Sequence, residues 1–121
     1  RHAVALAVTA SLAGCAGFAE SEPSRLDLSV QNNREEPVEV AVTVVDDAGT
    51  SYEETTDRLE SGVSRLFEVE VGETGRHELT VTGDDWSGRL AWHAETCKRY
   101  DGTVSVTPDS VDVAGECAEL R

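Results

Sequence analysis

At 121 residues, with 24 acidic against 10 basic side chains and a net charge of −14, the chain is sized for one domain and carries the wrong sign for nucleic acid, whose phosphates require a basic surface. The same acidity excludes an electrostatic hold on anionic lipid headgroups, so any membrane attachment has to come from a lipid on the chain itself. Val and Ala are abundant, Met is absent and aromatics make up 5%; Val, with its branched Cβ, favours pleated, half-buried strands.

Nine of the bases are Arg, and Lys98 is the single Lys. High Asp and Glu with almost no Lys looks like the composition of proteins from extreme halophiles. In strong salt the Debye length falls to roughly 3 Å at 1 M, which removes most long-range repulsion between carboxylates. The alternative is an acidic soluble protein of ordinary origin.

Arg1-His2 is a charged stub, and Ala3 to Leu12 is an uncharged apolar run. As a helix this run would be about 15 Å long, half of a bilayer's roughly 30 Å core, so it reads as a signal-peptide helix and not a membrane span. The chain opens without Met, and a start upstream of Arg1 is expected, with the export route left open. Leu12-Ala13-Gly14-Cys15 follows. It resembles a lipoprotein cleavage box, in which a peptidase cuts before the cysteine and a lipid is attached to its sulfur. Two acyl or isoprenoid chains there would anchor stably, where one is marginal. The competing site is Gly17-Phe18-Ala19, where an ordinary signal peptidase would release a free protein. The expected organisation is a signal peptide over 1–14, a lipidated cysteine with a flexible tether over 15–24, and one domain over 25–121.

From Arg25 the apolar period is two. Leu26, Leu28 and Val30 alternate with polar residues up to Asn32-Asn33. Val38, Val40, Val42 and Val44 define the strongest strand, turned by Asp46-Asp47-Ala48-Gly49. Thr50 to Thr56, with Tyr52, reads as a polar edge strand. Phe67, Val69 and Val71 form the next run, and Arg76 to Thr82 alternates through Leu79 and Val81. Gly83-Asp84-Asp85 leads into Trp86, Gly88, Leu90, Trp92 and Ala94, all of one parity. Val104 with Val106, then Val111 with Val113, complete the pattern. Seven or eight short strands at even spacing, with no amphipathic helix between them, predict an all-β, antiparallel, immunoglobulin-like β-sandwich, with a closed barrel as the alternative.

Once Cys15 is taken by lipid, Cys97 and Cys117 remain. They are expected to pair as a disulfide, as cysteines of exported domains commonly do. Cys97 is read at the end of the Trp-containing strand and Cys117 just after the last Val pair. Two separate reduced thiols are the alternative. No Cys-x-x-Cys favours redox chemistry.

A search for chemistry finds little. Gly62-Val63-Ser64-Arg65-Leu66 departs from the nucleophile elbow at its last position. His77 and His93 lack metal-ligand spacing and are read as polar-face residues. Asp46-Asp47 and Asp84-Asp85 are the seeds for a calcium site, which needs several hard oxygens converging. Trp86 and Trp92 share parity with Leu90 and are read as core, against a stacking platform for sugars. No cofactor and no enzymatic activity are expected.

The cleavage box, the Leu26-x-Leu28-x-Val30-x-Asn32 opening, the Val40–Asp46 strand and Trp92…Cys97…Val104-x-Val106…Cys117 together resemble the small lipoproteins of halophilic archaea that carry an immunoglobulin-like domain. The resemblance implies a β-sandwich tethered at the extracellular face of the cell membrane and no activity of its own. The resulting expectation is a lipid-anchored surface domain that acts through an envelope protein partner. The alternative is a surface receptor for a small ligand or metal ion, using loops such as Asp46–Gly49 and Gly83–Asp85.

Overall fold

The computed structural model describes residues 23–121. The expected signal helix, the cleavage box Leu12-Ala13-Gly14-Cys15 and most of the tether lie outside the described residues.

Eight strands follow one another: β1 (Ser24–Asn32), β2 (Val38–Asp46), β3 (Ser51–Leu59), β4 (Ser64–Val71), β5 (Arg76–Thr82), β6 (Ser87–His93), β7 (Cys97–Val106) and β8 (Val111–Leu120). They form two sheets of four, ordered β4-β1-β7-β8 and β3-β2-β5-β6. The alternation that predicts each strand also sets its inward face. Leu26, Leu28 and Val30 of β1 and Val40, Val42 and Val44 of β2 are buried, while residues between them reach solvent. With Leu79 and Val81 of β5 and Val104 and Val106 of β7 they fill the space between the sheets. Each fully buried Val or Leu contributes roughly 1.5–3 kcal/mol against the chain's lost entropy.

The two sheets stay separate, so the chain forms a sandwich and not a closed barrel. Five of the six strand pairings among the described residues are antiparallel. The exception is β1 with β7, which run parallel from Arg25 opposite Arg99 to Asn32 opposite Val106. β1 is therefore an interior strand, held between β4 and β7.

Three boundaries differ from the sequence expectation. β3 continues to Leu59, which is fully buried and seals the end of the core. Cys97 opens β7 and does not close the Trp strand, because Ala94 to Thr96 turns the chain first. β8 runs past Cys117 to Leu120. Close packing of the sheets on one side depends on Gly88, where an added Cβ would sit 2.6 Å from Cγ2 of Val113.

The strand directions give the sandwich two unlike ends. The chain enters at Ser24, beside the β2–β3, β4–β5 and β6–β7 turns. Ser24 is buried; its Oγ donates toward the carbonyls of Ala94 and Cys97, each at 3.3 Å, and accepts from Nη2 of Arg121 at 2.5 Å. The other end carries the β1–β2, β3–β4, β5–β6 and β7–β8 connections.

Candidate interaction surface

The end of the sandwich opposite Ser24 is built on Asn32, Asn33 and Arg34. Asn32 closes β1 with its side chain fully buried. Its Nδ2 donates to the carbonyls of Glu36 and Leu59, both at 3.0 Å, and its Oδ1 accepts the Arg34 N–H at 2.8 Å. The Asn32 backbone pairs with Val63 and Gly62 of the β3–β4 turn, where Gly62 takes the left-handed conformation that glycine favours (φ 81°). Asn33 holds β7, through its N–H to the Val106 carbonyl and through Nδ2 to Ser105 Oγ. An amide at Asn32 suits this place, because it offers two donors and an acceptor without a charge.

Arg34 then joins all four connections. Nε donates to the Thr107 carbonyl at 2.8 Å in the β7–β8 turn, and Nη1 meets Asp85 Oδ1 at 3.1 Å in the β5–β6 turn. Its own carbonyl accepts from Ser61 Oγ at 2.6 Å in the β3–β4 turn. The rigid fork of guanidinium donors allows this division of bonds between two loops.

Between these loops lies a groove of about 260 Å³ bordered by Arg34, Glu36, Glu39, Asp84, Asp85 and Trp86. Trp86 is half-buried at its floor. Its carbonyl accepts the Gly83 N–H at 2.9 Å, and its indole lies so close over Gly83 that any Cβ there would overlap the ring. The arrangement offers an aromatic surface rimmed by carboxylates, held by short turns instead of a long loop. It contains no nucleophile–base pair.

The other residues singled out in the sequence are scattered. Cys97 and Cys117 are joined in a disulfide, with Cα atoms 5.8 Å apart, between the start of β7 and the far part of β8. Asp46-Asp47 sits near the chain entry and Asp84-Asp85 at the opposite end, so the two pairs cannot share an ion. The Asp46 carboxylate is already engaged: it accepts the N–H groups of Thr50 and Ala48 and the hydroxyl of Tyr52. The Thr50 hydrogen bond is the main cause of its pKa lying below the ordinary 3.8. Tyr52, the donor in that bond, is correspondingly raised above 10.0. Among the described residues no group of three or more His, Cys, Asp or Glu is arranged to hold a metal ion.

His77 corrects the sequence expectation. It is not on the polar face; it is fully buried. The reason was readable, since His77 shares the parity of Leu79 and Val81 on β5. Its Nδ1 lies 3.2 Å from the Gly75 carbonyl, which can only accept, so Nδ1 carries the proton. The ring stands between Tyr52 (centroids 5.3 Å) and Trp92 (5.6 Å), and Trp92 stacks on Tyr100 at 4.8 Å. Trp92 is therefore core, as expected, and His77 is a core residue beside it. His93 is exposed, 3.9 Å from Glu95. The sequence reading missed Arg34, whose role depends on four loops that no local pattern brings together.

No family model matches the chain, and no curated protein matches it in sequence. Solved structures do resemble it. A T6SS lipoprotein, TssJ1 from Pseudomonas aeruginosa, superposes with a TM-score of 0.59 at 13% identity, over 80% of this chain and 99% of that one. A Bacteroides uniformis protein described as a "putative cell adhesion protein" gives a TM-score of 0.32 at 14% identity, over 77% of this chain and 49% of its own. At these identities the first likeness speaks for the fold alone and the second carries no argument, which leaves the chain as an eight-stranded β-sandwich of the architecture seen in TssJ1.

Proposed function

We propose that the protein is a non-enzymatic domain anchored to the outer face of a cell membrane by lipid on Cys15, and that it meets a protein partner with the loop end organised by Arg34. The observation that carries this reading is the polarity of the sandwich. The chain enters at Ser24, at one end, and the four loops joined by Arg34 lie at the other. A domain held by residues 15–24 would turn that loop end away from the membrane. A tether of the seven residues between Cys15 and Pro23, if it behaves as a flexible chain, would span on the order of 15 Å, enough to clear the lipid surface. The lipoprotein description of TssJ1, whose whole length the fold matches, supports the anchored reading. The acidic, Lys-poor composition supports a high-salt setting.

The first test is the intact mass of the protein extracted from its own membranes. Lipid mass on a chain beginning at Cys15 is expected, and Cys15→Ser should leave an uncleaved precursor or shed the protein into the medium. A bare chain starting near Glu20 in the medium would overturn the anchor. The partner is tested by a photo-crosslinker at exposed Asp84 or Asp109, which should capture one reproducible protein neighbour; capture from positions near Ser24 alone would overturn the loop assignment.

A further inference from the structure

We propose that β8 is an open docking edge, on which an extended, lysine- or arginine-bearing segment of a partner protein pairs as a fifth strand of the β4-β1-β7-β8 sheet. This reading goes beyond the loop surface and does not depend on the lipid anchor. An edge strand presents unpaired N–H and C=O groups, and proteins ordinarily blunt such edges. The chain blunts the edges on one side visibly. β3 has a register shift at Val44/Val45 and turns half-buried Glu53 and Asp57 inward, and Asp57 pairs with Arg65 of β4 across the gap between the sheets.

β8 has none of these devices over its first seven residues. Val111 to Cys117 pairs one-to-one with Val106 back to Tyr100; the register shifts are confined to the Cys97–Tyr100 end of β7. The stretch is held at Cys117 by the disulfide and at Val113 by its seat over Gly88. A fixed template loses little freedom when a segment adds to it. Ala114 and Gly115, with Asp101, Thr103 and Glu116, border a shallow depression of about 320 Å³ over the β7–β8 pair. Long side chains of an added strand could lean back over β8 into it.

Charge selects the occupant. β8 carries Asp112, Glu116 and Glu119 and no base, and Asp101 lies directly across from Glu116. A second copy of β8 would set acid against acid, which is unfavourable for facing cross-strand pairs, whereas a basic strand is complementary. The acids thus act against self-pairing without closing the edge to a basic partner.

The test uses the full chain and a ten-residue peptide alternating lysine with valine, at about 0.15 M salt, where the Debye length is about 8 Å. Hydrogen exchange read by mass spectrometry should show the amides of 111–117 slowed roughly tenfold. A peptide with glutamate for lysine should give no protection. A peptide N-methylated at alternate residues keeps its charge but lacks strand donors, and should also fail. Equal binding of the N-methylated peptide would reduce the interaction to charge alone and overturn the proposal. So would protection at β3, β4 or β6, or no binding at all. The double variant Asp112→Lys, Glu116→Lys should transfer the preference to the glutamate peptide; if it does not fold, the peptide comparison on the unaltered chain still decides.

Discussion

Arg34 reaches the carbonyl of Thr107, 73 residues further along the chain, with Nε 2.8 Å from the oxygen. The same side chain meets Asp85, so one guanidinium bridges the β7–β8 and β5–β6 turns. Arg34→Ala should free these loops together. Removing the donor of this part-buried carbonyl costs about 1 kcal/mol, and each kcal/mol lowers Tm by very roughly 4–8 °C in a domain of this size. Arg34→Lys should recover only part of this, because an ammonium cannot divide itself between both acceptors. Thermal melts with hydrogen exchange at 84–86 and 107–110 would check it.

Asn32→Asp should be more damaging than its size suggests. A carboxylate there would face the carbonyls of Glu36 and Leu59 in place of the amide that donates to them. Its pKa should rise above the ordinary carboxylate range of about 3.9. The sign follows by linkage. The variant approaches native stability below about pH 3.9, where the side chain is protonated in both states, and loses it as pH rises through the elevated folded value. Urea melts across that range should show the variant, unlike the parent, losing stability toward neutral pH.

Asp46 has the opposite dependence. Its folded pKa is lowered, chiefly by the Thr50 N–H, so its contribution is present above 3.8 and fades as pH falls through the lower folded value. Asp46→Ala should therefore melt below the parent near neutral pH, with the gap closing in acid. A gap independent of pH would show that the turn is held without the charge.

Gly83→Ala should displace the Trp86 indole, since the new Cβ would overlap it. Trp92 is buried in the core and should not respond. In a Trp92→Phe background the remaining fluorescence should shift to the red as Trp86 enters water.

Reducing the Cys97–Cys117 disulfide removes a twenty-residue closure. The chain-entropy estimate for such a loop is about 3 kcal/mol, enough to lower Tm by roughly 10–20 °C in a domain this small. Exchange should quicken first in β8, the strand the bridge holds to the sheet.

Much of this fold could be read from single residues. Val38 to Val44 and Leu26 to Val30 announce their strands because burial on one face imposes a period of two. Alternation reports which face is inward and says nothing of which strand lies alongside, so the parallel pairing of β1 with β7 was not legible. His77 was misread because its chemistry was weighed above its parity. The Arg34 assembly was invisible for another reason: its partners at 61, 85 and 107 become neighbours only when both sheets have formed.

That parallel pairing has a mechanical consequence. Any pull delivered through residue 23 enters β1 along its own axis, and β1 is flanked by β4 and β7 over most of its length. Tension would load both ladders in shear, with their hydrogen bonds sharing the force, whereas a strand peeled from an edge gives way one bond at a time. The first strand of the domain is thus the one best seated to bear a leash.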